Sequence, residues 1–374
     1  MERVLSTDDS FPLGWVLAPL IPLASFYGLA MRARAALYAR GLLTQYTLPC
    51  RVMSIGNLTV GGTGKTPVVI ALASALRDRG YRVGVVSRGY KRSSADEIVE
   101  VSDGQAVLGN PGETGDEPWL IAQRCPGVSV AVGADRAAVG RYLIGRHHVD
   151  TLIMDDGYQH MALRRDTNIL VMDAGAPFGN GYLLPRGRLR EPLSAMARAT
   201  AVLVTRASQA ARLDALKAAV CAVAPSVPVW VTDFAPCALV PVGGSTTVEP
   251  SVLKGERVLA VSGIGNPASF QALLETVGAT VAEHCVFPDH HAYSLEDVQT
   301  VRQVAARAGA ARIVTTEKDA VKLAGLVSSP SPLEGEPVLS LAEEGRARGD
   351  FWAVRIDLVW IEGQEEWERM VAQR

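Results

Sequence analysis

The stretch Ser54–Pro67, SIGNLTVGGTGKTP, constrains the fold of this chain more than any other. The apolar run Arg51–Ile55 before it predicts a short buried strand, and Val68–Arg77 after it predicts a helix. Glycines let the backbone turn tightly, so that successive N–H groups can face an anion at the helix N-terminus. The order of strand, glycine-rich loop and helix therefore predicts a phosphate-binding loop; the alternative is a glycine-rich hairpin turn.

The side chains of this loop suit a nucleotide triphosphate. Lys65 adds a positive charge, and Thr66 adds a hydroxyl of the kind that binds Mg²⁺. The Walker A pattern G-x-x-x-x-G-K-[ST] has glycine where this chain has Thr59. The predicted nucleotide-binding residues are Gly61, Gly62, Thr63, Gly64, Lys65 and Thr66.

Length, charge and cysteine usage narrow the class of protein. A chain of 374 residues favours two domains, each large enough for its own core. The formal net charge of −2 gives no support to a nucleic-acid partner, which would favour a clearly basic chain. Five scattered cysteines without a C-x-x-C pair indicate reduced thiols in the cytoplasm.

The segment Phe11–Met31 contains no charged residue, which raises the question of a membrane span. Three prolines interrupt it, and arginines follow it closely. We interpret it as an apolar or amphipathic helix in the cytoplasmic leaflet, with the arginines near anionic headgroups. The alternatives are a buried core helix and a full span. The segment also lacks the features of a secretory signal.

From Arg51 onwards, predicted strands alternate with predicted helices. This alternation predicts an α/β fold with a doubly wound, mostly parallel sheet and ligands at the carboxyl ends of the strands. Proline and glycine accumulate near residues 225–255, where Val229–Val231 and Ala238–Val240 are candidate linker strands. A second, smaller α/β unit follows this extended two-strand linker. The predicted divisions are an N-terminal segment 1–45, a core domain 46–228, a linker 229–252, a C-terminal domain 253–350 and a return strand with terminal helix 351–374.

Four polar clusters are candidates for chemistry. Asp155 and Asp156 follow the predicted strand Thr151–Met154, where a carboxylate would hold Mg²⁺; the alternative is a turn. The acidic loop GETGDEP, which contains Asp116, is the second candidate; the alternative is a helix cap without a chemical role. The sequence FPDHH, with His290, is a metal site, a general-base pair or a surface turn. The loop NGYLLPRGRLREP carries arginines suited to phosphate, or is a solvated loop.

Taken together, these motifs resemble a known family. The proline-broken N-terminal segment, SIGNLTVGGTGKTP, SRGY, GDEP, DDGYQH, LLPRGRLREP, FPDHHAY and TTEKDAVK occur in the order found in the tetraacyldisaccharide 4′-kinases, the lipid A kinases of Gram-negative bacteria. The match spans nearly the whole chain, and Thr59 belongs to the variant loop of this family. The main departure is the proline- and glycine-rich stretch Val327–Asp350, which touches no motif and to which we assign no function.

The resemblance implies transfer of the ATP γ-phosphoryl group to the 4′-hydroxyl of a tetraacyldisaccharide 1-phosphate, with ATP and Mg²⁺ as cofactors. It implies that Asp116 is the base and that His290, from the second domain, tunes it, which would make domain closure part of catalysis. The other implied residues are Thr66, Asp155, Asp156 and Glu191 for the metal, Lys65 for catalysis, and Arg88, Gln159 and Arg190 for the substrate.

The resemblance further implies a peripheral enzyme on the cytoplasmic face of the inner membrane, because its acceptor carries four acyl chains. No obligate protein partner is inferred. The competing hypothesis is a membrane-associated P-loop ATPase that acts as a switch or assembly factor and hydrolyses ATP without a lipid acceptor.

Overall fold

The computed structural model describes residues 18–89, 93, 94, 96–327 and 351–373. The chain forms two compact units: the first contains the described residues up to Phe234 together with those from Leu358, and the second contains Ala235–Asp357. Most of the stretch to which we assigned no function, and the start of the N-terminal segment, lie outside the described residues. The finer domain boundaries stay a prediction.

The first unit is built on a mostly parallel sheet. Its helices are α1 (Ile21–Ala39), α2 (Lys65–Asp78), α3 (Pro111–Thr114), α4 (Asp116–Arg124), α5 (Arg136–His147) and α6 (Leu213–Val223). Its strands are β1 (Arg51–Gly56), β2 (Val83–Ser87), β3 (Ile98–Asp103), β4 (Ser129–Gly133), β5 (Thr151–Asp155), β6 (Thr167–Asp173), β7 (Ala201–Thr205) and the start of β8 (Val229–Pro241). The strand order is β8-β7-β6-β1-β5-β2-β4-β3.

Among the described residues, the neighbouring strands of this sheet pair in parallel, except β3 with β4, which pair antiparallel. Strands β1 and β5 lie in the middle and are almost completely buried, which explains their continuous apolar sequences. The predicted α/β class and mostly parallel sheet are confirmed. The register places Ile55 beside Asp155, so the phosphate-binding loop and the paired aspartates leave the same edge of the sheet.

The second unit is a smaller parallel sheet with helices. Its strands β9 (Arg257–Ser262), β10 (Thr280–Val286), β11 (Arg312–Thr316) and β12 (Phe351–Glu362) have the order β10-β9-β11-β12. Its helices are α7 (Pro267–Thr276), α8 (Leu295–Arg307) and α9 (Glu317–Val327). Strands β8 and β12 each contain a unit boundary, so the chain passes between the units twice.

The structure differs from the sequence prediction at three strands. Two strands, β3 and β10, were not predicted, and one strand, β8, was predicted as two separate strands. Strands β3 and β10 carry polar residues at positions that interrupt an apolar run, and each lies at an end of the strand order given for its unit. We predicted separate linker strands at Val229–Val231 and Ala238–Val240, but β8 is one strand of 13 residues. Its internal Pro236 suggested a break, which the chain does not make.

Helix α1 has 19 residues and begins after a short 3₁₀ turn, Ala18–Leu20. Pro22 lies in its first turn, where a missing N–H removes no helical hydrogen bond. The helix buries only Ala24 and Gly28. Its large apolar side chains are exposed, with Leu23 61%, Phe26 75% and Leu29 62% accessible. Within the part of the chain that the structure describes, no helix is long and apolar enough to cross a bilayer.

The C-terminal helix α10 (Gln364–Ala372) is fastened to the first unit at two places. Trp367 is buried and packs edge-on against Trp230, with ring centroids 5.9 Å apart. At the other end, the Arg51 guanidinium donates to the carbonyl oxygens of Met370 at 2.7 Å and Gln373 at 2.6 Å. Arg51 therefore adds charge-assisted hydrogen bonds to the carbonyl groups at the C-terminal end of the helix.

We expect Arg51→Met to lower the free energy of unfolding of the first unit by about 2 kcal/mol, because two charge-assisted hydrogen bonds to the helix end are lost. The matched control is Arg82→Met, which breaks an exposed ion pair with Asp150 and should have an effect of less than about 1 kcal/mol. Urea unfolding followed by tryptophan fluorescence measures both. Equal effects of the two substitutions would show that the contact of Arg51 with the helix is not important for stability.

Candidate active site

The phosphate-binding loop joins β1 to α2, as predicted. Gly61 and Gly64 have positive φ angles of 119° and 79°, which side chains other than glycine rarely adopt. A Cβ atom at Gly64 would also lie 2.6 Å from the Phe234 ring. Glycine is therefore required at the residue immediately before Lys65, where the N–H groups of the first turn of α2 are available to an anion.

The threonine that departs from the Walker A pattern has a structural explanation. Thr59 forms an antiparallel bridge with Leu189 and is buried. On either side of it, the Val60 N–H donates to the Arg188 carbonyl and the Arg190 N–H donates to the Leu58 carbonyl, each at 2.7 Å. Because this extended pairing has room for a Cβ atom, a residue other than glycine fits at position 59.

Asn57 is a site residue that the sequence analysis missed. It is fully buried, its Nδ2 donates to the Thr59 carbonyl at 2.6 Å, and its Oδ1 accepts from Lys65 Nζ at 3.2 Å. Asn57 thus fixes both the start of the loop and the lysine ammonium. The available signal was a polar residue directly after a buried strand, in SIGN, but nothing in the sequence identifies its partners.

Asp155 is the last residue of β5 and is only 1% exposed. Its Oδ2 accepts from the Ser87 hydroxyl at 2.9 Å, whereas its Oδ1 is buried with no hydrogen-bond partner among the described residues. Burial, with further contributions from the charges of Glu117 and Asp156, raises the pKa of Asp155 to about 7. One oxygen of this carboxylate is therefore left to accept a ligand.

Asp156 has the opposite electrostatic environment. Its carboxylate lies 2.8 Å from Arg190 NH1 and 3.5 Å from Lys65 Nζ. Burial would raise the pKa of Asp156, but the charges of Lys65 and Arg190 outweigh burial and hold that pKa below its usual range. Asp156 is therefore ionised at neutral pH, and it pairs with the positively charged side chains of Lys65 and Arg190 at the edge of the loop.

A connected set of polar side chains continues from Arg190. The side-chain amide of Gln159 donates to the Asn57 carbonyl at 2.9 Å and to Glu191 Oε1 at 3.1 Å. Arg190 Nη1 lies 3.5 Å from Gln159 Oε1. The structure thus brings together the predicted residues Lys65, Asp156, Gln159, Arg190 and Glu191.

Glu191 was assigned to the metal by resemblance. Its side chain is 2% exposed. Both carboxylate oxygens accept from Arg198 Nη2, Oε2 at 2.8 Å and Oε1 at 3.0 Å. These contacts are those of a buried ion pair that orders the loop, and the metal assignment stays a prediction. Arg198, which also lies over the Tyr158 ring, was not among the predicted site residues.

Asp116 and Arg88 lie at the ends of two other elements of the first unit, helix α4 and strand β2. Asp116 is the first residue of α4, after Gly115 with φ 96°, so the predicted loop contains a helix start. The charge of the next residue, Glu117, raises the pKa of Asp155, which indicates that this turn is near the paired aspartates. Arg88 is exposed directly after β2, and its charge contributes to lowering the pKa of Arg136.

His290 belongs to the second unit. Its φ angle is +59°, and its N–H donates to the Gly263 carbonyl at 3.3 Å. Lys318 Nζ lies 3.2 Å from His290 Nε2. The expected pairing of His290 with Asp116, and the expected closure of the domains, join residues of different units and stay predictions.

Mg²⁺ takes oxygen ligands and is commonly held by one or two carboxylates together with substrate phosphates. The described residues contain no group of three or more histidine, cysteine or acidic side chains that could form a complete metal site. The unpartnered Oδ1 of Asp155, which is next to Asp156 in the sequence, fits a metal that shares its ligands with a nucleotide.

The chain matches a known protein family along nearly its whole length. The family model described as "Tetraacyldisaccharide-1-P 4'-kinase" matches residues 16–373. This chain belongs to the tetraacyldisaccharide 4′-kinase family. Proteins named tetraacyldisaccharide 4′-kinase from Anaeromyxobacter dehalogenans (strain 2CP-C) and Syntrophus aciditrophicus are 42% and 43% identical to it. They cover 100% and 80% of this chain, and the alignments cover 94% and 82% of their own lengths.

A solved structure of the same family has the same fold. The chain is similar to LpxK from Aquifex aeolicus, crystallised in complex with ATP, with a TM-score of 0.70 and 30% identity over 95% of this chain and 98% of that one. The predicted family, fold and kinase activity are therefore confirmed.

One histidine of the tetraacyldisaccharide 4′-kinase motif DDGYQH has an unusual environment. Burial, followed by the charges of Arg136 and Arg165, lowers the pKa of His160 to about 4. His160 is therefore neutral in the native protein at physiological pH. It is not a candidate for a cationic phosphate ligand.

We expect the stability of the protein to fall between pH 6.5 and pH 4 in part because of His160. In that range the unfolded chain binds a proton at this histidine, and the native protein does not. His160→Gln should reduce the loss by about 1–2 kcal/mol, after allowance for the partial exposure of the ring. Urea unfolding of both proteins at pH 8 gives the baseline difference, and the same measurement at pH 4.5 gives the pH-dependent part. Parallel pH curves would contradict the assignment.

Proposed function

We propose that this protein transfers the γ-phosphoryl group of ATP to the 4′-hydroxyl of tetraacyldisaccharide 1-phosphate, forming lipid IV-A in lipid A biosynthesis. The observation that carries the proposal is the arrangement of Lys65, Asp156 and Arg190 beside the start of α2, in a chain of this family. These charges surround the position at which a triphosphate would meet the helix N-terminus.

ATP would bind through the loop residues 61–66. The N–H groups at the start of α2 and the Lys65 ammonium would hold the β- and γ-phosphates, as in other phosphate-binding loops. The LpxK structure from Aquifex aeolicus, which contains ATP, supports this part of the proposal. Gln159, Arg88 and Arg190 would orient the acceptor or its phosphate; of these, Arg190 already has its guanidinium 2.8 Å from Asp156.

Thr66, Asp155 and Asp156 would hold Mg²⁺, with Glu191 as a further acid near it. When bound, Mg²⁺ would neutralise charge that develops on the transferred phosphoryl group. The buried Oδ1 of Asp155 supports its part in this set, because it is an unpaired acceptor at the edge of the sheet.

Asp116 would accept the proton of the 4′-hydroxyl while the oxygen forms its bond to the γ-phosphorus and the bond to ADP breaks. This role and the assistance of His290 come from the family motif. Asp116 is the first residue of α4, so the helix fixes the position of its carboxylate.

The protein would act as a peripheral enzyme on the cytoplasmic face of the bacterial inner membrane. The acceptor has four acyl chains, so the enzyme must reach it at a bilayer surface. The exposed apolar residues of α1, and the arginines that follow them in the sequence, have the composition of an interfacial helix. The expectations of no nucleic-acid partner and no obligate protein partner stay predictions.

The decisive measurement is transfer of label from γ-³²P-ATP to lipid A disaccharide 1-phosphate in detergent micelles. We expect labelled lipid with the native chain and a loss of at least about 100-fold with Asp116→Asn, because the general base is removed. Binding of a nonhydrolysable ATP analogue should be retained by that variant. Phosphate release without labelled lipid would instead support a P-loop ATPase that acts as a switch or assembly factor.

The membrane part of the proposal has its own test. Phe26→Glu combined with Leu29→Glu places two charges on the exposed face of α1, and should weaken sedimentation with phosphatidylglycerol-containing vesicles by at least about tenfold. Val252→Glu is the control, since Val252 is 39% exposed on the second unit. Unchanged vesicle binding by the double variant would rule out this face as the docking surface.

A further inference from the structure

Helix α1 contacts the arginine-rich loop at two adjacent residues. The Tyr27 hydroxyl donates to the Arg190 carbonyl at 2.7 Å. The next residue, Gly28, packs so closely that an added Cβ atom would lie 2.6 Å from Leu183 Cδ1. The helix and the loop are therefore in direct contact: Tyr27 forms a hydrogen bond to the loop, and Gly28 packs against it.

The backbone of Arg190 is fixed on both sides. Its N–H donates to the Leu58 carbonyl in the phosphate-binding loop, and its carbonyl accepts from Tyr27. The guanidinium of the same residue contacts both oxygens of Asp156, at 2.8 and 3.0 Å. A displacement of Tyr27 would therefore act on a residue whose side chain lies in the candidate active site.

The other face of the helix is open. Leu23, Phe26 and Leu29 are more than half exposed, and Tyr27 lies next to Phe26 in the sequence but is only partly exposed. A surface that takes up the apolar side chains would restrict the position of the helix, and hence the position of the Tyr27 hydroxyl. Burial of Tyr27 and the charge of Glu191 raise the pKa of its phenol, so the hydroxyl keeps its proton and remains a donor.

We propose that Tyr27 is a positioning residue that couples lipid binding by α1 to the nucleotide site. The route is the ion pair of Arg190 with Asp156, whose carboxylate also lies 3.5 Å from Lys65 in the phosphate-binding loop. The proposal rests on the proposed function only in requiring that α1 bind a lipid surface. Coupling between two sites is reciprocal, so lipid should tighten nucleotide binding by the same factor by which nucleotide tightens lipid binding. A single hydrogen bond of this type corresponds to an effect of about two- to tenfold.

The test measures the affinity of the full chain for AMP-PNP by calorimetry, with and without vesicles of phosphatidylethanolamine and phosphatidylglycerol. We expect vesicles to tighten binding about fivefold in the native protein. Tyr27→Phe keeps the ring and removes the donor, and should abolish this enhancement while vesicle binding itself changes less than about twofold. Tyr38→Phe is the control on the same helix, where the ring lies under Arg34, and should keep the enhancement.

An enhancement that survives in Tyr27→Phe would overturn the assignment of Tyr27, and native protein that binds vesicles without any change in nucleotide affinity would overturn the coupling. Absence of vesicle binding by the native protein would reject both the coupling and the membrane part of the proposed function. Failure of the kinase proposal appears separately, in the transfer of label to lipid. As a second readout, Tyr27→Phe should raise KM for ATP about fivefold when the acceptor is presented in vesicles, while the affinity for AMP-PNP without vesicles stays unchanged.

Discussion

The parallel pairing of β1 with β5 is the constraint on which the rest of the site depends. Its register places Ile55 beside Asp155, so the loop that follows β1 and the two aspartates that end β5 leave the sheet together. Only from this placement can Lys65 lie 3.5 Å from Asp156. The long loop with Arg190 then pairs with residues 58–60 and closes the same edge.

The pKa values of two adjacent carboxylates shift in opposite directions because their surroundings differ. Asp155 is buried with a neutral hydroxyl partner, and burial raises its pKa, whereas Lys65 and Arg190 keep Asp156 ionised. Burial of an incompletely paired carboxylate opposes folding. Its presence here is best understood as a requirement of function, because a bound cation would favour the ionised form of Asp155.

The sequence allowed accurate prediction of features that depend on neighbouring residues. Strand, glycine-rich loop and helix were predicted because apolar runs and glycines mark them locally, and Asp155 with Asp156 because they directly follow a buried run. Asn57, Arg198 and the contact of Tyr27 with Arg190 were not predictable, since their roles come from partners brought together by the fold; Tyr27 and Arg190 are 163 residues apart. Strands β3 and β10 were missed because the polar residues along them weaken the apolar pattern.

The composition of α1 is unusual for a helix that packs on a domain, and its contacts explain why. The residues that it buries are small, Ala24 and Gly28, and Gly28 allows Leu183 to approach closely. Large apolar residues therefore remain on the outside, where they oppose solubility unless a lipid surface covers them. The same small residues bring Tyr27 within hydrogen-bond distance of Arg190. An attachment through small residues thus leaves exposed the face of the helix that we propose meets lipid, and it places the other face against the loop of the candidate active site.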